Sequence, residues 1–327
     1  MKVFVYEYIC GGGLAGRPLP ESFAREGWAM LASIVEDFSQ VEGCEVVTTL
    51  DERFAGRPIA ARIVERLSGD AETERRTIER LAAECEGTLL IAPEFDGILF
   101  DRVTWAERAG GRLLGSSSQG VAAAADKFAC GQLLERAGVP AVVGQLVRLN
   151  ERPLPSLTVP FPAVLKPRDG AGSQHSFLVS DPASLDALVC DLESNGIASE
   201  FLLQPFVPGM SVSVSFLIGP NCRQPLLAGQ QILSSDGRFQ YLGGRLPLPP
   251  DESRRAVAVA TRAVAAMPGL NGFVGVDLVL GSYRPELQIE NCKLKIANLK
   301  LQVSNQDRKS TRLNSSHSRA SRMPSSA

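Results

Sequence analysis

Residues Ala163–Ser180 read AVLKPRDGAGSQHSFLVS: an apolar strand ending on Lys166, a glycine-containing turn, and a second apolar strand. Glycine lets a turn adopt conformations in which several backbone N–H groups point outward. An ammonium beside such a turn suits a polyphosphate. The Walker A pattern GxxxxGK[ST] is absent, so this is another kind of phosphate loop. The alternative is an ordinary glycine hairpin beside an exposed lysine.

Lysine usage sharpens the choice. Of 34 basic residues only seven are lysine, and residues 1–292 hold three of them, Lys2, Lys127 and Lys166. Lysine meets phosphate as a compact point charge, whereas arginine presents a planar fork. Two lysines kept in an arginine-rich body therefore mark Lys127 and Lys166 as candidate phosphate contacts. Lys127 reads as lying one turn into a helix over 119–137, stopped by Gly138 and Pro140.

Outward from this core, the chain reads as two regions. Residues 2–8, 45–50, 88–95 and 112–115 read as strands, with helices over 22–38 and 70–85 between them. Strands alternating with helices predict an α/β domain with a parallel, doubly wound sheet, residues 1–115. Residues 116–292 read as α+β: a Pro-rich connector, the quoted loop, a helix at 183–194, and the segments LLQPFV and SVSVSFLI. A hairpin at 226–241, a helix from Ser253 to Met267, and the strands GFVGVDLVL and ELQIE complete it.

The last two strands carry carboxylates. In a hairpin centred on Ser282-Tyr283-Arg284-Pro285, Asp277 falls opposite Glu290. Two carboxylates so placed repel unless a cation lies beside them, and oxygen ligands select Mg²⁺ or Mn²⁺, commonly shared with substrate phosphates. The alternative is a pair of solvated carboxylates. A run Gly11–Gly16 fits GxGxxG with Glu36 downstream, the mark of a dinucleotide fold. Pro18 and Pro20 separate it from the following helix, so a nicotinamide-dependent dehydrogenase is the weaker alternative.

In order, these pieces resemble the ATP-grasp superfamily over about 119–291. LLGSSSQGVAAAADKFACGQLLERAGVPA resembles its entry segment, with Lys127 as first phosphate lysine, and PAVLKPRDGAGSQ the second lysine, Lys166, with the mobile loop Asp169, Gly170, Ala171, Gly172 and Ser173. LLQPFVPG is similar to the adenine hinge, which implies roles for Gln204, Pro205 and Val207, with Ser211 near the ribose. GVDLVL and LQIE resemble the metal strands, which implies Asp277 and Glu290 as Mg²⁺ ligands. The first domain then corresponds to the Rossmann-like domain that precedes the grasp. VYEYICGGGL, IAPEFDGIL and GGRLPL resemble carboxylate–amine ligases of the tyramine–glutamate ligase group. The resemblance implies an ATP- and Mg²⁺-dependent ligase that forms an amide from small-molecule carboxylate and amine substrates through an acyl phosphate. Arg245 is its candidate contact for the acyl phosphate, and Glu7 and Glu94 could face the amine. A non-catalytic ATP-binding module is the alternative.

Beyond Glu290 the family pattern Glu-x-Asn-Pro-Arg is not kept; Asn291-Cys292-Lys293 follows instead. Residues 293–327 carry four lysines and four arginines against Asp307, a charge of +7, leaving −9 for the body out of the net −2. This Ser-rich, basic stretch is expected to be a disordered tail, and it resembles frame-shifted or adapter-derived sequence. An acidic body argues against nucleic acid as a partner. No run approaches 18 apolar residues, so no membrane helix is expected. Seven scattered cysteines without CxxC spacing, and only two histidines, argue against zinc and for reduced thiols in the cytoplasm.

Overall fold

The computed structural model describes residues 1–150, 154, 156–170, 172–197 and 200–281, and the backbone of 291–296. Ala171, Glu290 and the tail from 297 lie outside the described residues, as does the expected strand ending at Glu290.

The first domain is an α/β/α sandwich on a parallel sheet. Strands β1 (Lys2–Glu7), β2 (Glu45–Asp51), β3 (Ile63–Leu67) and β4 (Gly87–Ile91) are ordered β3-β2-β1-β4. Helix α1 (Glu21–Ser39) covers one face, where Val3, Val5, Val46 and Leu50 meet Leu31 and Val35. Helices α2 (Ala71–Glu84) and α3 (Ile98–Arg108) cover the other, where Phe4, Tyr6 and Val47 meet Ile78, Leu81 and Val103. Because both faces are buried, β1 is an unbroken apolar run rather than an alternating one. Sequence periodicity did not reveal β3 or α3. The expected strand at 112–115 reduces to one bridge, Leu113 with Thr88.

Gly11, Gly12 and Gly13 of the GxGxxG run serve this domain's own packing. A Cβ on Gly11 would lie 2.4 Å from the Glu7 carbonyl, on Gly12 2.8 Å from Leu67, and on Gly13 2.1 Å from the Tyr8 ring. Glu7 is buried, and its carboxylate accepts from the backbone of Ile9 (3.1 Å) and Cys10 (2.7 Å). Burial pushes its carboxyl up, against the pull of those amides. It braces the turn after β1 and is neither a solvated nor an amine-facing carboxylate.

The second domain comprises two sheets, each with helices on one face only. Helices α4 (Ser118–Ala125) and α5 (Lys127–Arg136) enter it, followed by β5 (Gln145–Arg148), β6 (Ala163–Pro167), β7 (Phe177–Val179), α6 (Pro182–Ser194) and β8 (Glu200–Pro205). The antiparallel sheet β5-β8-β6-β7 packs Leu165, Phe177, Val179 and Leu203 against Leu185 and Val189 of α6. Strands β9 (Met210–Gly219), β10 (Cys222–Pro225), β11 (Gly229–Leu233) and β12 (Tyr241–Arg245) follow, then α7 (Pro250–Ala266), β13 (Gly272–Leu280) and β14 (Asn291–Ile296). Their sheet is ordered β12-β11-β9-β13-β14, with β10 also on β9. Its alternating inward residues Val212, Val214, Phe216, Val274, Val276 and Leu278 pack on Leu134 of α5 and Ala256, Ala260 and Val264 of α7.

That β14 is a strand corrects the expectation of a tail without structure from 293. Cys292, Leu294 and Ile296 alternate with Lys293 and Lys295, the period-two pattern that a sheet edge accepts. Among the described residues no cysteine forms a disulfide: Cys10, Cys85 and Cys130 are buried, Cys44 is half-buried, and Cys190 and Cys222 are exposed. No helix among the described residues is long and apolar enough to cross a membrane.

One buried ion pair joins α2, α3 and β1. Arg102 donates to Glu74 at 2.9 and 2.7 Å, Tyr6 donates its hydroxyl to the same carboxylate, and the guanidinium stacks on Tyr8 and Trp105. Burial, with the Glu74 charge adding, pushes the Tyr6 phenol well above its ordinary range. Truncating one partner strands a buried charge, so Arg102→Met is expected to cost about 3–5 kcal/mol in urea denaturation. Glu74→Leu added to Arg102→Met should lose less than Arg102→Met alone.

Candidate functional site

The expected helix over 119–137 is two helices. Asp126 breaks it with an extended backbone (φ −80°, ψ 98°), and its carboxylate caps α5 by accepting from Phe128 N (3.0 Å) and Ala129 N (3.1 Å). Lys127 is thus the first residue of α5 rather than one turn into a longer helix. Its backbone N–H (3.1 Å) and its ammonium (3.3 Å) both donate to the Arg168 carbonyl. Arg168 stands two residues after Lys166, so this carbonyl joins the start of α5 to the end of β6.

The Arg168 side chain closes the same junction. It donates to Asp126 at 3.1 and 2.6 Å and to Glu200 at 2.8 Å, and its N–H donates to the Glu200 carbonyl. Arg148 also donates to Glu200, at 2.9 Å. Burial raises the Asp126 carboxyl, but Arg168 and the capping amides outweigh it and hold the group below the ordinary range. Arg148 and Arg168 lower Glu200 likewise.

Lys166, half-buried, lies opposite Leu202 on the sheet face away from α6, the face shared with Val164 and Gln204. The loop after it carries four positive φ angles: Gly170 (131°), Gly172 (70°), Ser173 (62°) and His175 (51°). A Cβ on Gly170 would lie 3.9 Å from the Lys127 ammonium, so loop and lysine are neighbours. The Asp169 carboxylate accepts from Gly170 N (2.7 Å) and from Asp96 N (3.1 Å). It shapes the loop and ties it to the β4–α3 turn of the first domain, which also carries half-buried Glu94.

The chain passes from one sheet to the other between β8 and β9. Gln204 is buried and donates its amide to the Val142 carbonyl, which leaves its Oε1 as the end available to accept a hydrogen bond. Pro205 pairs with Ala163, and Phe206 N donates to Pro162 O at 2.9 Å. Val207 is half-buried, and Gly209 sits where a Cβ would approach the Leu280 carbonyl to 2.5 Å. Ser211 lies opposite Val279. The β11–β12 hairpin reaches back across the gap: Leu178 N donates to Gly237 O (2.9 Å), and Phe239 meets Phe206 at 6.3 Å. Sheet-to-sheet contact at both places makes a cleft of the two helix-free faces.

Asp277 lies on the helix-free face of the larger sheet, opposite Ser213 on β9. Gln231 of β11 donates to its Oδ1 at 3.0 Å. On β14 the residue opposite Asp277 is Lys293, not Glu290, because the register pairs Val279 with Asn291. The register differs by three residues from one centred on residues 282–285, and an odd shift exchanges the two faces of the second strand. Among the described residues no three carboxylate, histidine or cysteine side chains cluster to hold a metal. Mg²⁺ keeps several waters and binds through one or two carboxylates plus phosphate, so Asp277 suits it as a single protein ligand. Arg245 pairs with Gln230, which pairs with core-facing Val212. Its register therefore places it on the face away from Asp277, apart from the other candidates.

Sequence reasoning missed Asp126, Arg168, Asp96 and Gln231. A cap-forming Asp inside AAAADKF was the available signal for the first. The others depend on strand order, which no local pattern reports.

The ATP-grasp domain family matches residues 124–290, and the pre ATP-grasp 3 domain matches 44–121. A tyramine–L-glutamate ligase from Methanocaldococcus fervens is 24% identical over 281 residues, 85% of this chain and 82% of the relative. An L-amino acid ligase from Bacillus licheniformis aligns with a TM-score of 0.62 at 18% identity, over 86% of this chain and 64% of that one. D-alanine–D-alanine ligase from Bacillus anthracis, with ATP, aligns at 0.59 and 14%, over 90% and 85%.

Asp126 and Glu200 are held low in the folded state, so their ion pairs stabilise above the unfolded values of about 3.9 and 4.3 and are lost as pH falls below them. Asp126→Asn keeps a capping oxygen and removes one of these titrations. Its urea midpoint should fall less than that of the parent between pH 7 and pH 3.

Proposed function

Because the chain belongs to the ATP-grasp family, we propose that it is an ATP- and Mg²⁺-dependent ligase joining a small-molecule carboxylate to an amine. The observation that carries this reading is the Arg168 carbonyl, which draws Lys127 and the loop after Lys166 to one place. Similarity along most of the chain to a tyramine–L-glutamate ligase supports the reaction class.

In the proposed reaction a carboxylate oxygen attacks the γ-phosphorus of ATP while the bond to the ADP oxygen breaks, giving an acyl phosphate. The amine nitrogen then attacks the acyl carbon, phosphate leaves, and the nitrogen gives up a proton. Lys127, Lys166 and the N–H groups of Gly170, Gly172 and Ser173 hold the phosphates and balance charge that develops on them. The acceptor end of Gln204, with the backbone of Pro205 and Val207, receives the base, and Ser211 lies toward the sugar. Asp277 would hold Mg²⁺, which would neutralise charge on the phosphates; Glu290, the second ligand that the resemblance implies, lies outside the described residues. Free thiols suit a reducing cytoplasm.

A second reading has a specific basis. The ATP-grasp match stops at Glu290, where Asn291-Cys292-Lys293 replaces the family's Asn-Pro-Arg continuation. On that basis the chain as written could bind ATP without turning it over.

Thermal melting separates these readings. MgATP at 100 times its Kd should stabilise the protein by about 2.7 kcal/mol, seen as a raised midpoint, and Lys166→Ala should abolish the rise. No rise in the parent would overturn the ATP-site reading. A rise without ADP release across a panel of amino acids paired with amines would favour the binding module over the ligase.

A further inference from the structure

Asp277 is reached from two strands away, and the residue that reaches it has no part in the proposed reaction so far. Gln231 on β11 sends its amide across β9 to donate to Asp277 Oδ1 on β13 at 3.0 Å. Neighbouring strands are about 4.8 Å apart, so this bond spans about 10 Å of sheet. β9 is small along this path: Ser213 stands opposite Asp277, and Ser211, on the same face, is level with Gln231 by the pairing of Gln230 with Val212. Larger side chains in those places would block the path.

Resting on the ATP-site reading above, we propose that Gln231 is a positioning residue that holds the Asp277 carboxylate in the rotamer that meets the divalent cation of a bound nucleotide. The chemistry of the side chain fits that task better than any other of sufficient length. Lysine or arginine would fix the carboxylate but add a further positive charge to that of Lys293, which pairs with Asp277 on β14, where a cation must arrive. Glutamate would repel it. An amide N–H engages one carboxylate oxygen and brings no net charge of its own. Hydrogen bonds of this kind to ligating carboxylates commonly govern metal affinity by about 10–100-fold.

The test uses the full chain with Mn²⁺ as the probe, its binding followed by the paramagnetic resonance of the free ion, at a saturating concentration of a non-hydrolysable ATP analogue. Gln231→Met keeps the length and removes the donor. It should weaken Mn²⁺ binding at least tenfold while the melting temperature of the ligand-free protein stays at the parent value. Gln231→Lys, which keeps a donor but adds charge, should weaken Mn²⁺ binding by at least as much and serves if Gln231→Met does not fold. Asp277→Asn should weaken it further than either. Parent-like Mn²⁺ affinity in both Gln231 variants, with loss in Asp277→Asn, would overturn the role of Gln231 and leave the metal reading standing. Parent-like affinity in Asp277→Asn would overturn the metal reading itself.

Discussion

The Asp126–Arg168–Glu200 ion network is the constraint on which the candidate site depends. It fastens the first turn of α5 to the end of β6, two elements separated by 26 residues of chain. Lys127 starts a helix, where the macrodipole already presents partial positive charge, and a cation there costs roughly 0.3–1 kcal/mol. The Asp126 carboxylate at the cap opposes that cost, and the Arg168 carbonyl fixes the ammonium's position. The outcome is a concentration of N–H groups and positive charge at one end of a helix. Anions bind such an arrangement for the same reason that cations destabilise it.

Around this junction the two sheets solve a packing problem in the same way. On β9, β13 and β6 one set of alternate residues is buried against the helices and the other set lies on the helix-free face; β8 departs from this, with Leu202 and Gln204 buried there too. On β9 the cleft set is Ser211, Ser213 and Ser215, small and polar where Val212, Val214 and Phe216 face the core. Small residues on that face keep the cleft open, and the buried set holds the strand in register. Polar groups are thereby placed by an apolar pattern.

This division explains what the sequence disclosed and what it withheld. Two lysines stood out because nearly every other cation is arginine, and the resemblance around them identified the family. The strands GFVGVDLVL and SVSVSFLI were visible through alternation, a property of consecutive residues. The break at Asp126 was hidden by the alanines before it, which favour helix strongly enough to mask a cap. The pairing of Asp277 failed for a different reason: register depends on the exact length of the connection, and strand pattern alone fixes only the face. Gln231 was invisible because β11 and β13 are neighbours of β9, not of each other, and sheet order is a property of the whole domain.

The division between arginine and lysine also has a structural content. Several arginines here serve protein carboxylates through their planar fork: Arg75 with Glu72 and Glu79, Arg80 with Glu65, Arg102 with Glu74, Arg168 with Asp126. A bidentate guanidinium is well matched to a carboxylate that never leaves. A phosphate that arrives, transfers and departs is better met by a compact ammonium on a flexible stem. Part of the arginine complement of the acidic body is thus committed to its own carboxylates, while Lys127 and the loop after Lys166 lie side by side, the arrangement on which the proposed phosphate site rests.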